Sequence, residues 1–220
     1  MRITKIEPQQ RRPGRKNVYA DGRFLAGVSD ETLVRLALRT GDEISPETLS
    51  ALRSTEELLH AKGVALRFLS TRPRTEREIR DKLREKEFAD GEIARTIDEL
   101  KTANLLNDQE FARMYIRDAL ALKPLGRIVL RHKLLLLGVD KSTTDQALEE
   151  AFAHVDLHAL VLQAAREFLR RTRTSRRKED GRKLRARLTS YLLRRGYPWD
   201  VAGPIVKSLT GTDGTDEQHE

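Results

Sequence analysis

The sequence predicts a mainly α-helical chain built from three tandem three-helix repeats in an elongated, curved array, with a small N-terminal β-hairpin and helix in front. Three observations carry this. The same apolar spacing recurs three times along the chain. Charged residues reach 35% while aromatics are only 5%, against about 25% charged in an average domain, which favours thin helical modules over one large α/β core. And the sole strong strand signals are confined to the first 28 residues.

Those residues contain Asn17-Val18-Tyr19-Ala20 and Arg23-Phe24-Leu25-Ala26 on either side of Asp21-Gly22. Both positions of such a turn favour positive φ, which makes it a strong hairpin signal. Ile3 and Ile6 suggest an earlier strand, separated by the Gln9–Lys16 loop with its Pro13-Gly14. Ser29 is placed to cap a short helix whose apolar stripe is Leu33, Leu36 and Ala37, ended by Gly41. Ser45-Pro46-Glu47 then pairs an N-cap with proline at the first helical position. Thr75-Glu76-Arg77-Glu78 reads as a capping box in front of Ile79 and Leu83. Asp90 and Asp108 are expected to cap the next two helices, and Gly138 and Gly196 to end later ones.

The repeat appears when Leu83, Leu134 and Leu192 are aligned. Four residues before each lie Ile79, Leu130 and Leu188, and five after lie Phe88, Val139 and Tyr197. Fourteen after come Ile97, Leu148 and Val206, and seventeen after come Leu100, Ala151 and Leu209. A further helix precedes each anchor. The period is 51 and then 58 residues, and most of the change falls in the loop before the anchor helix. A three-helix unit of about 50 residues is marginal alone, whereas stacked units bury their apolar faces together. The expected division is residues 1–44 for the hairpin and short helix, 45–107 for a linker helix and the first repeat, 108–155 for the second repeat, 156–209 for the third with a basic loop, and 210–220 for an acidic disordered tail.

Charge is polarised. The chain carries 42 Lys and Arg against 34 Asp and Glu, a net +8, yet Arg166–Arg195 alone holds thirteen bases and three acids, a local +10. Residues 1–17 add +5, so the remainder totals −7. A concentrated basic stretch is the footprint of a partner rich in phosphate or carboxylate. On local charge, the expected contact surface is Arg170, Arg171, Arg173, Arg176, Arg177, Lys178, Arg182, Lys183, Arg185 and Arg187. A second cluster is Arg72, Arg74, Lys123, Arg127, Arg131 and Lys133. Arg127 and Arg131, like Lys183 and Arg187, are four apart and share a helix face.

Chemistry is sparse. The chain has no cysteine, which excludes disulfide scaffolds, thiolate zinc sites and thiol catalysis. It shows no Gly-rich phosphate loop. His154 and His158 are four apart but lack a third ligand at sensible spacing, and read as a surface pair. No nucleophile–base–acid constellation is recognisable. The expected protein is not an enzyme, takes no cofactor, metal or small-molecule substrate, and does not enter a membrane, since no apolar run is longer than Leu134–Leu137, far below the ~20 residues of a span. With no apolar signal core after Met1, it is expected in the cytoplasm.

Several stretches resemble the RecX regulatory proteins, bacterial modulators of the RecA recombinase: Ala65-Leu66-Arg67-Phe68-Leu69-Ser70-Thr71-Arg72-Pro73-Arg74-Thr75-Glu76-Arg77-Glu78-Ile79, Leu105-Leu106-Asn107-Asp108-Gln109-Glu110-Phe111-Ala112-Arg113-Met114-Tyr115, and Gly126-Arg127-Ile128. The resemblance spans about residues 55–209, and the hairpin with Gly27-Val28-Ser29 is similar to an extension that some members carry. It departs at Lys133, where the family usually places an acid, and in the third repeat, with its long basic loop and Gly196-Tyr197-Pro198-Trp199 ending. The resemblance implies a non-enzymatic protein that binds RecA–DNA filaments along their groove and lowers ATP hydrolysis, strand exchange and repressor co-cleavage in DNA repair and the SOS response. None of the basic residues above is carried over from the family.

Three-helix units also suggest a sequence-reading helix-turn-helix regulator. The third helices, Asp90–Glu99 and Thr143–Glu150, are acidic and would repel phosphate, which argues against base readout by them. Sequence-non-specific binding of DNA or RNA through the third unit is the alternative to filament binding. A scaffold without nucleic-acid contact stands third, against the basic stretch.

Overall fold

The computed structural model describes residues 1–10, 13–122, 124–173 and 181–211. Lys123, Arg176, Arg177, Lys178 and all of the expected acidic tail beyond residue 211 lie outside the described residues. The chain is mostly helical, with three tandem three-helix repeats behind a small sheet.

The sheet has three antiparallel strands in the order β1 (Ile3–Pro8), β2 (Arg15–Ala20) and β3 (Arg23–Ser29). Ala20 pairs with Arg23 across Asp21 and Gly22, whose φ values of 48° and 76° are those the turn demands. The early strand suggested by Ile3 and Ile6 pairs with β2. Ile3, Val18 and Val28 point into one core with Leu33, Ile44 and Leu52.

Helix α1 (Asp30–Arg35) starts where expected: Ser29 Oγ accepts the Thr32 amide at 3.1 Å. It ends six residues before Gly41. Ala37 takes the left-handed conformation (φ 51°), and the Leu38 amide bonds the Leu33 carbonyl at 3.0 Å. This closure puts Leu38 back over the core and leaves Ala37 exposed. Gly41 instead takes φ 99° and donates to the Ile3 carbonyl, tying the loop to β1.

The linker helix and the first helix of the first repeat are one element, α2 (Pro46–Leu69), opened by Ser45 as predicted. Its N-terminal half packs on the sheet core through Leu49 and Leu52, and its C-terminal half on the first repeat through Ala61 and Ala65. Glu56 lies between these two halves. Its carboxylate accepts the Ser29 amide (2.7 Å), Ser29 Oγ (3.0 Å) and Thr32 Oγ1 (2.5 Å), and pairs with Arg15 at 3.0 Å.

The remaining helices are α3 (Glu76–Glu85) and α4 (Asp90–Thr102), then α5 (Asp108–Leu122), α6 (Arg127–Leu136) and α7 (Lys141–Phe152), then α8 (Leu157–Arg173), α9 (Gly181–Arg194) and α10 (Trp199–Thr210). The three anchor leucines and the residues four before them are fully buried, each in its own repeat's core. Two caps differ from expectation by one residue. Ala89, not Asp90, is the N-cap of α4, and Asp90 pairs instead with Arg84 at 3.0 Å. At α5, Asn107 accepts the amides of Gln109 and Glu110, placing Asp108 inside the first turn.

The repeat has a backbone cause. At the end of each anchor helix the amide five residues on returns to the anchor's carbonyl: Phe88 to Leu83 (3.3 Å), Val139 to Leu134 (3.1 Å) and Tyr197 to Leu192 (3.3 Å). The preceding residue is left-handed in all three, Glu87 (φ 61°), Gly138 (φ 92°) and Gly196 (φ 81°). This helix-ending motif joins a hydrogen bond to a hydrophobic contact between the same two residues, so the apolar pair and its spacing recur together.

The chain divides into two compact units, Met1–Arg74 with Glu78–Leu106, and Thr75–Arg77 with Asn107–Glu220. In the first, the sheet core and the first repeat share α2. In the second, repeats two and three are joined directly: the Gly126 amide donates to the Arg195 carbonyl (2.7 Å), and Arg195 Nη1 donates to the Pro124 carbonyl (2.8 Å).

Candidate nucleic-acid and filament interface

The basic surface is built on the anchor helices. α3 carries four acids and four bases; α6 carries Arg127, Arg131 and Lys133 with no acid; α9 carries Arg182, Lys183, Arg185, Arg187 and Arg194 with no acid. Net charge on this one helix therefore runs 0, +3 and +5 from repeat to repeat. The third helices are not basic: α4 and α7 are each −2 and α10 is 0.

In the third repeat, Arg182, Lys183 and Arg187 are exposed on α9 and Arg185 is half-buried. The Arg187 guanidinium lies 5.8 Å from the Phe168 ring centroid, so part of this cation is held over α8. Arg170 and Arg171 are exposed near the end of α8, where Arg171 pairs with Glu167 at 2.6 Å, and Arg173 is the last residue of that helix. A shallow groove of about 550 Å³, lined by Leu122, Pro124, Leu162, Gln163, Arg166 and Arg170, runs between the end of α5 and α8.

In the second repeat, Arg127 and Lys133 are exposed on α6. Arg131 is committed. It binds Asp145 of α7 with two nitrogens, at 2.6 and 3.2 Å. The shared hydrogen bond and opposite charge raise the Arg131 pKa and lower that of Asp145. In the first unit, Arg74 is turned inward. Its guanidinium stacks 3.8 Å from the Phe68 ring centroid and meets Glu78 at 3.4 Å, leaving 14% of the side chain exposed. Arg72 pairs with the same carboxylate but remains on the surface. Like charge in the sequence thus covers two populations: cations that hold helices together and cations that face solvent.

Charge alone passes over Arg194, exposed at the end of α9, and Trp199, the chain's single tryptophan, 54% exposed at the start of α10. Gly203 follows Trp199 by four residues on the same helix face. Among the described residues, no group of three His, Asp or Glu is placed to hold a metal, and no helix is long and apolar enough to cross a membrane.

Four family descriptions match in order along the chain: the regulatory protein RecX N-terminal domain at residues 1–45, and the first, second and third RecX three-helix domains at 61–100, 107–148 and 161–203. Among relatives, the regulatory protein RecX of Clostridium acetobutylicum is 31% identical over 94% of this chain and 95% of its own length. That of Clostridium perfringens strain SM101 is 32% identical over 96% and 98%. A crystal structure of regulatory protein RecX superposes with a TM-score of 0.75 at 26% identity, covering 93% of this chain and 98% of that one. The structure of RecX from Lactobacillus salivarius, at 24% identity and a TM-score of 0.59, shares the fold over 70% of this chain. Sheet, repeats and sequence agree along nearly the whole length, and the chain belongs to the RecX family of regulatory proteins.

Proposed function

We propose that this protein is a non-enzymatic regulator that binds RecA recombinase–DNA filaments in the cytoplasm and lowers their ATP hydrolysis, strand exchange and repressor co-cleavage, acting in DNA repair and the SOS response. The observation that carries the reading is the rise of charge along equivalent helices, from 0 to +3 to +5, in a member of this family. Three homologous modules repeat one frame, and the anchor helix keeps its bases (four, three and five) while its acids fall from four in α3 to none in α6 and α9. Anchor helices whose net charge rises from repeat to repeat suit a partner that presents phosphate. Lys183, Arg182 and Arg187 on α9, with Arg127 and Lys133 on α6, are the described residues proposed to meet it.

The test is the ATP hydrolysis rate of the cognate recombinase on excess single-stranded DNA, titrated with this protein at physiological salt. The expected result is a fall in rate at a protein-to-recombinase ratio well below one, which competition for DNA does not produce. An unchanged rate beside tight binding to bare DNA would instead identify a sequence-non-specific nucleic-acid binder.

A further inference from the structure

Helix α10 contains two residues that local propensity disfavours, Gly203 and Pro204. Glycine inside a helix costs about 1 kcal/mol relative to alanine, and interior proline more. Such conflicts between local preference and fold concentrate at functional sites. For Gly203 the reason is visible. A β-carbon there would stand 3.1 Å from Cε2 and Cζ2 of Trp199 and 3.4 Å from Cδ2. The indole lies across the glycine, which it buries, while 54% of the tryptophan stays exposed. The indole is thus seated against the helix at Gly203 while much of its surface stays open to solvent.

The surroundings are basic. Trp199, Gly203 and Lys207 are successive four-residue steps on one face of α10, so Lys207 is exposed one turn beyond the ring's seat. At its other end α10 follows the corner where Gly196 meets α6. A β-carbon on Gly196 would lie 2.8 Å from the Val129 amide nitrogen. This contact brings the start of α6, which carries Arg127, to the corner that follows Arg194 at the end of α9, and Trp199 lies three residues on, a reach of at most about 11 Å. Arg127, Arg194 and Lys207 are exposed, and none joins an ion pair among the described residues. The acid at this end is Asp200 in the first turn of α10.

An exposed aromatic seated on a helix, with exposed cations on the same and adjoining helices, is the kind of unit used in sequence-tolerant single-strand binding, where bases stack and phosphates are neutralised. We propose that Trp199 stacks a base of single-stranded nucleic acid, with Arg127, Arg194 and Lys207 holding the adjacent phosphates. This rests on the filament reading, and assigns the DNA strand rather than the recombinase subunit to this corner.

Because Trp199 is the chain's single tryptophan, the unmodified protein reports the contact. The full chain is titrated with an oligothymidylate and with an abasic strand of equal length, following indole emission and the anisotropy of the labelled strand together. Oligothymidylate is expected to quench emission with the same midpoint as the anisotropy, and the abasic strand to bind more weakly without quenching. Trp199→Ala should weaken oligothymidylate binding about tenfold, with the salt slope unchanged because the phosphate contacts persist. Trp199→Phe, a smaller ring in the same seat, should restore most of the affinity. Emission that stays constant while anisotropy saturates would overturn the proposal, as would failure to bind the oligonucleotide. Emission that changes only on adding recombinase without DNA would overturn it too, placing a protein at the ring. The filament reading is judged separately, by the hydrolysis titration of the wild-type chain.

Discussion

Gly126 and Gly196 meet backbone to backbone: a β-carbon on Gly126 would stand 2.1 Å from the Gly196 carbonyl oxygen and 2.8 Å from the Tyr197 amide nitrogen. This contact joins the second and third repeats, and Gly126 has an ordinary negative φ of −72°. The glycine is therefore required by approach distance rather than by conformation. No rotamer relieves an overlap with main-chain atoms. Gly126→Ala is expected to destabilise the second unit by about 1–3 kcal/mol, the usual cost of overpacking. Urea unfolding of wild type and variant checks it, and equal midpoints would mean that the repeats do not pack this way.

Glu87 occupies in the first repeat the left-handed position held by Gly138 and Gly196 in the others. A residue with a β-carbon pays roughly 1 kcal/mol there. The side chain is exposed, so replacing it removes no packing. Glu87→Gly should stabilise the protein by about 0.5–1 kcal/mol in thermal or urea unfolding. Destabilisation would show that α3 does not end in this motif.

The repeat was legible in the sequence because its positions are set by two things that composition preserves: apolar burial and a helix ending that ties the anchor to the fifth residue after it. The Glu87 turn could not be read this way, since only glycine announces a left-handed residue. The caps were misplaced by one residue for a similar reason. Asp90 and Asp108 are good caps in isolation, but Asp90 is engaged by Arg84, and Asn107 sits one step earlier with the same capability. The candidate site was legible only as a charge density. Nothing near Arg131 in sequence reveals that Asp145, on the next helix, neutralises it, and nothing near Arg74 reveals that its guanidinium covers Phe68.

Glu56 gives the fold an acid limb. Burial works to raise its pKa, but the Ser29 amide, the Thr32 and Ser29 hydroxyls and the Arg15 charge together hold it below the usual 4.5. A carboxylate with a depressed folded-state pKa contributes stability above its unfolded pKa and loses it as pH falls through the folded value. The melting temperature of the wild type should therefore exceed that of Glu56→Gln at pH 7, and the gap should narrow steadily below about pH 4.5. A gap independent of pH would mean the carboxylate's charge is not what the network recognises.

Tyr197 gives the opposite limb. Its ring is buried in the third repeat's core, its hydroxyl meets no hydrogen-bond partner among the described residues, and burial pushes its pKa up to about 12. Since ionisation is easier in the unfolded chain, the neutral form's stability is fully present below pH 10 and is lost as pH rises toward 12. An unsatisfied buried hydroxyl also costs free energy that an apolar ring of the same shape does not. Tyr197→Phe is expected to match or exceed wild-type stability at pH 7 and to flatten its loss between pH 10 and 12. Clear destabilisation at neutral pH would mean the hydroxyl is bonded in solution.

The basic face of α9 separates binding from folding. Arg182, Lys183 and Arg187 are exposed, whereas Leu188 and Leu192 on the same helix are fully buried, so the two groups report on different properties. Reversing Arg182 and Lys183 to Glu should leave the circular dichroism spectrum unchanged and the unfolding free energy within about 0.5 kcal/mol of wild type, the usual range for surface substitutions. The same variant should weaken binding to DNA and to recombinase filaments. The slope of log affinity against log salt should also fall, by about 1 for each phosphate contact removed. Reversing Arg74 should behave differently: it breaks the contacts to Phe68 and Glu78, and is expected to lower stability while leaving the salt slope unchanged. If Arg182 and Lys183 can be reversed with affinity and slope both intact, α9 is not the contact surface, and the cations of α6 would have to supply it alone.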